Sequence, residues 1–401
     1  MKNMVLLRYE LIRLACHINN YRGAFMKTKY SIVKEYIESK VLDGTYQPNQ
    51  KISSESEFMK QFGVSRHTIR RAIGDLVTEG WLYREQGSGT FCADRSTMQS
   101  LRNYDKQKNI AIVTTYLSDY IFPSIIRGAE AQLSEEGYQV SIFSTNNCQD
   151  KEKQILENLL TQNFDGVIVE PTKSAYSNPN IAYYLNLERL SIPYIMINAY
   201  YDELGPVSIV LDDERGGFLQ TKYLIEQGHK DIIGFFKTDD IQGTRRLKGF
   251  LKAHRTYKIP INPGNIITYN TDEKDSKPVH EMDQLLTHTR QVPTGIVCYN
   301  DELAMNILHV LRTKGLQIPE DVSIIGYDDS PLAEISEVKL TSILHPKSKM
   351  GKDAANKIIE LIESKDINNE DALPDVESIV YEPEIVIRNS VRTITDSNES
   401  I

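Results

Sequence analysis

The stretch ISSESEFMKQFGVSRHTIRRAIGDLVTEGWLYREQGSGTF, residues 52–91, decides how the rest of the chain is read. Two short helical patterns meet at Phe62-Gly63-Val64, and the second runs into a Gly-rich hairpin. Ser53 or Ser54 is placed to cap the first helix, which carries Phe58, Met59 and Phe62 on one face. Gly63 supplies a permissive turn residue. Ser65 then caps a second helix whose Ile69, Ala72, Ile73, Leu76 and Val77 recur at the helical period. The opposite face crowds Arg66, His67, Thr68, Arg70 and Arg71 into its first two turns. A helix-turn-helix lays the start of its second helix in the DNA major groove, so hydrogen-bond donors belong there. Trp81-Leu82-Tyr83-Arg84, the turn Gln86-Gly87-Ser88-Gly89 and then Thr90-Phe91 read as a two-stranded wing. Each piece alone has a plainer reading: exposed arginines are usually just solvated, and a Gly-Ser-Gly turn is usually only a hairpin. Their order is much harder to assign to chance, and it predicts DNA binding.

Residues 28–95 resemble the winged helix-turn-helix domain of the GntR family of bacterial transcription regulators. The likeness is carried by FGVSRHTIRRAIGDL, GWLY and GSGTF. It implies double-stranded operator DNA as a partner.

Working outward, 401 residues are too many for one such module and suggest two or three domains. A hydrophobic content of 40% with 25% charged residues describes a soluble chain able to bury a sizeable core. Residues 26–95 carry eleven basic and nine acidic groups, and the segment before them four and one. Everything after residue 95 carries 31 basic and 45 acidic groups, so phosphate would repel that body and only the amino-terminal module can face DNA. Cys16, Cys92, Cys148 and Cys298 show no CxxC pair or metal-ligand spacing, which fits free thiols in a reducing cytoplasm. No metal and no cofactor is expected.

Ahead of the module, MVLLRYELIRLACHI is apolar but broken by Arg8, Glu10 and Arg13. It has neither a signal-peptide core nor the length of a membrane span, and no membrane partner is expected. Residues 1–25 are read as an extension, with Met26 the natural start. The module's first helix is expected to bury Ile32, Val33, Tyr36, Ile37 and Val41 and to stop at Asp43-Gly44. Residues 96–108 are polar and aperiodic, a linker.

From residue 109 the pattern changes. IAIVTT, VSIFST, GVIVE, YIMIN, SIVLD, IIGFF, IITYN, GIVCYN and VSIIGY alternate with helical segments such as PSIIRGAEAQLSEEG, GGFLQTKYLIEQG and DELAMNILHVLRTKG. Short runs rich in Ile and Val are strands buried on both faces of parallel sheets, and the closing glycines are helix stops. Residues 109–391 are therefore expected to form a doubly wound α/β body with parallel sheets, long enough for two lobes, followed by a tail at 392–401.

Ligands of open α/β sheets bind beyond the carboxyl ends of the strands. The residues just after the apolar runs include Glu170, Asn198, Asp212 with Asp213, Asn300 with Asp301, and Asp328 with Asp329. Such residues also cap the helices that follow, Asn300-Asp301 being the clearest ambiguity. Their recurrence suggests a cleft rich in acceptors, with Arg245 and Arg246 as donors and Tyr120 or Phe122 to cover an apolar ring face. Asp119 and Gln242 complete the candidate effector set. That composition suits a neutral polyhydroxyl ligand, in which every hydroxyl both donates and accepts. A phosphorylated one would want more cations and a Gly-rich turn at a helix start.

Residues 109–391 also resemble the effector domains of the LacI/GalR family, which share the fold of periplasmic sugar-binding proteins. DDERGGFLQTKYLIEQGHKDIIGF, RRLKGF, CYNDELAMNILHVLRTKGLQIPEDVSIIGYDD and LTSILHPKSKMG carry the likeness. It implies that Asn198, Arg246, Asn300, Asp301 and Asp328 meet the effector. Asp213 departs from the Asn usual in that family, which favours a structural role there. A GntR head on such a body resembles the L-arabinose-responsive family of Gram-positive repressors, through TTYLSDYIFPSIIRG, VEPTKSA, NIAYYLNLE and YDDSPLAEISEVKLTSILHPKS. The resemblance implies a homodimer, L-arabinose as effector, and DNA contacts from Lys29, Tyr30, Glu55, Arg66, His67, Thr68, Arg70, Gln86 and the turn Gly87, Ser88, Gly89, Thr90, with the cap Ser65 among them. Two enzymatic alternatives remain at this point. An aminotransferase-like body would need a Schiff-base lysine, and no supporting pattern is present; a glycosidase would use the cleft carboxylates on an arabinoside.

Overall fold

A computed structural model describes residues 28–94, 108–117, 120–288, 292–367 and 376–395. The extension 1–25, all of the linker but Lys108, and residues 396–401 of the tail lie outside the described residues. The chain divides into two units between residues 106 and 107.

In the first unit, α1 (Lys29–Leu42) opens where the Thr28 side chain accepts the Ser31 N–H, and it ends at Asp43. Val33, Ile37 and Val41 form its buried row. Ile32, expected inward, is 44% exposed, because one residue earlier lies about 100° round the helix from that row. Tyr36 is half-buried and packs edge-on against Phe62. Helix α2 (Glu55–Phe62) is capped by Ser54 rather than Ser53, in a capping box with Glu57, and Gly63 closes it at φ 60°. Helix α3 (Arg66–Thr78) starts at Ser65 and buries Ile69, Ala72, Ile73 and Leu76. Strands β1 (Leu82–Glu85) and β2 (Gly89–Cys92) pair antiparallel, Leu82 opposite Cys92 and Glu85 opposite Gly89, to make the wing.

The second unit alternates strand and helix: β3 (Asn109–Thr114), α4 (Phe122–Glu135), β4 (Gln139–Ser144), α5 (Gln149–Thr161), β5 (Gly166–Val169), α6 (Ile181–Arg189), β6 (Tyr194–Ile197) and β7 (Ser208–Leu211). There follow α7 (Asp213–Glu226), β8 (Ile232–Lys237), α8 (Ile241–Tyr257), β9 (Ile266–Tyr269), α9 (Lys277–His288), β10 (Gly295–Val297), α10 (Asp301–Thr313), β11 (Ser323–Asp328), α11 (Pro331–Ile335) and β12 (Thr341–Leu344). Helix α12 (Lys347–Ile367), β13 (Ile379–Tyr381) and β14 (Glu384–Val386) complete it. The strands form two six-stranded sheets, ordered β13-β7-β6-β5-β3-β4 and β14-β12-β11-β10-β8-β9. Every pairing is parallel except β12 with β14. Each sheet is the centre of one lobe, and the chain crosses between lobes near residues 212, 345 and 383.

The core follows from the period-2 geometry of a strand covered on both faces. In β8, Ile233 and Phe235 pack with Ile307 and Leu311 of α10, while Ile232 and Phe236 pack on the other face with Leu224 of α7 and Phe250 of α8. VSIFST departs from the expected burial: β4 pairs only with β3 at the sheet edge, and Ile142 is 42% exposed. Helices α7 and α8 meet through glycine. A Cβ on Gly217 would lie 2.3 Å from the Arg246 carbonyl oxygen, and one on Gly249 would lie 2.1 Å from that of Glu214. That close approach sets where Arg246 sits. Residues 392–395, assigned to the tail, lie along the second lobe: Arg392 N–H donates to Ser323 Oγ at 3.0 Å and Ile394 N–H to the Gln227 carbonyl at 2.7 Å.

Candidate DNA-binding face and effector cavity

On the head, Arg66 and Arg70 stand one turn apart on α3, 57% and 62% exposed, and one carboxylate serves both. Arg70 Nε donates to the two oxygens of Glu55 at 3.1 and 3.0 Å, and Arg66 Nε lies 3.8 Å away. Glu55 is the first residue of α2, so the turn between helices brings an acceptor onto a face of donors. His67 and Lys29 are exposed. Ser65 accepts the Thr68 N–H at 3.2 Å and shares a hydrogen bond with its hydroxyl, so Ser65 is the cap and Thr68 its partner. Tyr30 donates its hydroxyl to Asp75 and lies under the Arg71 guanidinium, tying α1 to α3. Gln86, Gly87, Ser88 and Gly89 are exposed at the wing tip, and Thr90 is half-buried, its carbonyl accepting the Ile52 N–H.

In the body, a cavity of about 130 Å³ opens between the carboxyl ends of the two sheets. Tyr120, Phe122, Glu170, Asn198, Gln242, Arg246, Asn300 and Asp328 line it, as does Asp213. Asp119 lies outside the described residues. Asp301 does not line it: its carboxylate is fully buried, accepting the Ser330 N–H and the Ser342 hydroxyl, both at 2.7 Å. Asp212 accepts the Arg215 N–H as a helix cap, and Asp329 pairs with Arg388, so neither reaches the cavity. Arg245 stacks on Tyr200 instead.

Arg246 is 4% exposed, which excludes a surface role. Its Nε donates to Asp213 Oδ1 at 2.8 Å and its Nη1 to the Tyr299 carbonyl at 2.6 Å, while its plane lies over the Tyr327 ring. Asp213 is thus the structural anchor of the arginine. The remaining Nη2 lies 3.6 Å from Asp328 Oδ1, a buried oxygen that accepts no hydrogen bond from the described residues. Burial raises the pKa of Asp328 and of Asp213, with Arg246 opposing both.

A second group of cavity residues is self-satisfied. Glu170 accepts the Thr115 N–H at 2.8 Å and its hydroxyl at 2.5 Å on one oxygen, and Asn198 Nδ2 at 2.9 Å on the other. With its amide nitrogen committed, Asn198 presents Oδ1 to His345 Nε2 at 3.0 Å, so that nitrogen carries the proton. Burial, with Lys347 and Arg246 nearby, pushes His345 down to about 3, and it is neutral. Tyr120 crosses from one lobe to the other: its hydroxyl donates to the Tyr327 carbonyl at 2.9 Å and accepts the Asp301 N–H at 3.0 Å. Tyr120, Asn198 and Asp328 have φ of 61°, 64° and 91°, left-handed backbone of the kind that collects at functional sites.

The residue-by-residue reading missed His345, Lys237, Asp240, Tyr299 and Asn147, all lining residues. His345 follows the run TSIL and Lys237 ends IIGFFK, so the same end-of-strand rule reaches both. Lys237 lies 3.0 Å from Asp240 and 3.5 Å from Asp239. Burial alone would lower its pKa, but those carboxylates outweigh it and hold the lysine protonated. The cavity thus holds more cations than expected, Lys237 and Lys274 beside Arg246, yet Glu170, Asp213, Asp240, Asp275, Glu302 and Asp328 outnumber them. Such a lining disfavours a phosphate and suits a neutral ligand. Among the described residues no group of His, Cys, Asp or Glu is arranged to hold a metal ion, and no helix is long and apolar enough to cross a membrane.

Residues 29–92 match the bacterial regulatory proteins of the gntR family, and residues 221–391 match the periplasmic binding protein-like domain. The chain is 57% identical over 366 residues to the arabinose metabolism transcriptional repressor of Halalkalibacterium halodurans, covering 91% of this chain and 97% of that protein. It is 46% identical to the protein of the same name from Geobacillus stearothermophilus, over 91% and 98% of the two chains. The crystal structure of a transcription regulator from Staphylococcus saprophyticus superposes with a TM-score of 0.62 at 24% identity, covering 72% of this chain and all of that one, a likeness of fold.

Proposed function

The chain belongs to the family of arabinose metabolism transcriptional repressors, and on that premise we propose that it is a homodimer released from a palindromic operator when L-arabinose fills the cavity. One observation carries the sugar reading. Arg246 Nη2 and Asp328 Oδ1 face each other at 3.6 Å, the second buried and without a hydrogen bond from the described residues. A hydroxyl placed between them accepts from the arginine and donates to the carboxylate, and so satisfies both at once. The aromatic rings of Phe122 and Tyr120 are available for the C–H face of the same ligand.

An enzymatic role is disfavoured on the same residues. Lys237 is held cationic by Asp240 and Asp239, which unsuits it to a Schiff base. Both oxygens of Glu170 are committed to Thr115 and Asn198, which unsuits it to general acid–base work. The relatives are named repressors, and Cys148 and Cys298 are free thiols, as a cytoplasmic regulator would keep them.

We take residues 26–95 as the head and residues 109–391 as the sugar-binding and dimerising body. The two lobes are joined by hydrogen bonds across the cleft: Asn147 Nδ2 donates to Thr271 Oγ1 at 2.6 Å, and the Ile241 N–H to Ser174 Oγ at 3.0 Å. A sugar that adds contacts to both lobes biases their closure, and operator and sugar then oppose each other by one reciprocal factor, typically about 5–150-fold. The test is operator affinity measured with and without a panel of pentoses and hexoses. L-Arabinose should weaken binding most; indifference to every sugar would sink the proposal.

A further inference from the structure

The turn that presents Asp328 is strained and is held by side chains from the crossovers. Asp328 and Asp329 have φ of 91° and 45°, conformations that non-glycine residues keep only where the surroundings over-determine them. Lys347, the first residue of α12, donates from Nζ to the carbonyls of Asp328 at 2.6 Å, Asp329 at 2.8 Å and His345 at 3.3 Å. All three ammonium protons are thereby used on backbone. The Asp329 carboxylate, which a stabilising ion pair would have used, goes instead to Arg388 Nη1 at 2.6 Å. Lys347 does not line the cavity. Helix α12 packs on α4 and the sheet of the first lobe, whereas the turn it grips belongs to the second.

We propose that Lys347 is a positioning residue of the effector site: it clamps the Asp328–Asp329 turn so that the Asp328 carboxylate stays opposite Arg246, and it sets sugar affinity without touching sugar. The proposal rests on the reading of the cavity as a sugar site. A structural lysine would tie down any part of the lobe; this one ties down the backbone of the residue whose oxygen awaits a partner.

The experiment is isothermal titration of sugars into the full-length protein and its Lys347→Met, Asp328→Asn and doubly substituted forms, beside thermal unfolding and operator affinity without sugar. Asn tolerates the left-handed backbone, so Asp328→Asn removes the charge and keeps the turn. Lys347→Met should weaken sugar binding about tenfold, within the range that neighbouring residues couple, with operator affinity unchanged. The double variant should bind no more weakly than Asp328→Asn alone. Losses that simply add, or a Lys347→Met protein that binds sugar normally, overturn the proposal. Should that variant not fold, Lys347→Gln, whose shorter side chain has two donors for three carbonyls, replaces it in the same cycle with a smaller loss of sugar affinity expected. If the unmodified protein binds another sugar of the panel but not L-arabinose, the arabinose identification falls and the cycle is read with that sugar. If it binds none, the sugar site and the role of Lys347 fall together.

Discussion

Replacing Arg246 with Met should destabilise the body well beyond the loss of one hydrogen bond. The side chains of Arg246 and Asp213 are 5% and 2% exposed, and the 2.8 Å contact between them is the main compensation for burying the Asp213 charge. Removing one partner of such a pair leaves the other uncompensated and typically costs about 3–5 kcal/mol. The Tyr299 carbonyl loses its donor as well. Adding Asp213→Asn removes the stranded charge, so the double variant should recover about 2–3 kcal/mol of that loss, a coupling expected of contacting residues. The chain's one tryptophan, Trp81, is buried in the head, so its fluorescence follows that unit while far-UV circular dichroism follows mostly the body. In urea, Arg246→Met should move the dichroism transition to lower concentration and leave the Trp81 transition in place. Neither variant should respond to sugar. A shift worth less than about 1 kcal/mol for Arg246→Met, or a double variant as unstable as the single one, would refute the description of a buried pair.

Gly249→Ala puts a methyl 2.1 Å from the Glu214 carbonyl oxygen, so α7 and α8 must separate; overpacking of this kind costs about 1–3 kcal/mol, and sugar affinity should fall with stability because Arg246 rides on α8. Burial, with Asp328 nearby, raises Asp301 from 3.8 to about 7. The folded protein therefore keeps a proton that the unfolded chain loses, and stability declines as pH climbs between those values. Asp301→Asn lacks that titration, so its stability relative to the unmodified protein should rise across the same window in paired urea titrations; a constant difference contradicts the assignment. On the head, Arg70→Ala should cost about 1–3 kcal/mol of operator affinity and relax preference at one base pair, whereas Gln86→Ala should weaken specific and random DNA alike. Equal losses for Arg70→Ala on both DNAs would reassign it to phosphate.

Much of the architecture is legible because it rests on local signals. Ser54, Gly63 and Ser65 mark helix ends by side-chain chemistry and backbone permissiveness, and the apolar runs of the body are strands because both faces are covered. What escaped depends on long-range placement. β13 and β14 are three residues each, too short to register as patterns, and β12 is a strand only because β11 and β14 flank it. Ile142 reads as core until the sheet order puts β4 at an edge. Within the cavity, the end-of-strand rule found acceptors because it looked for carboxylates and amides. It passed over His345 and Lys237 at the same kind of position, and it could not separate Asn300, which lines the cavity, from Asp301, which is turned away onto Ser330 and Ser342.

The charge of the head explains why release by a small molecule is feasible at all. With eleven basic and nine acidic groups from 26 to 95, one head has little general attraction for phosphate. Glu55, one of those nine, acts at the face itself: it accepts from the Arg70 Nε and lies 3.8 Å from that of Arg66, so approach to an arbitrary backbone sets a carboxylate against phosphate. The two hydrogen bonds also restrain Arg70 through its Nε, which leaves its Nη protons for another acceptor; on the proposed reading the carboxylate thereby orients donors for a matching base edge. On that reading a single head is selective and weak. In the proposed dimer, two such heads on one operator gain affinity through the effective concentration of the second, which is lost when geometry forbids both from engaging. Release then needs no change in any DNA-contacting residue, only a change in the spacing of two weak heads.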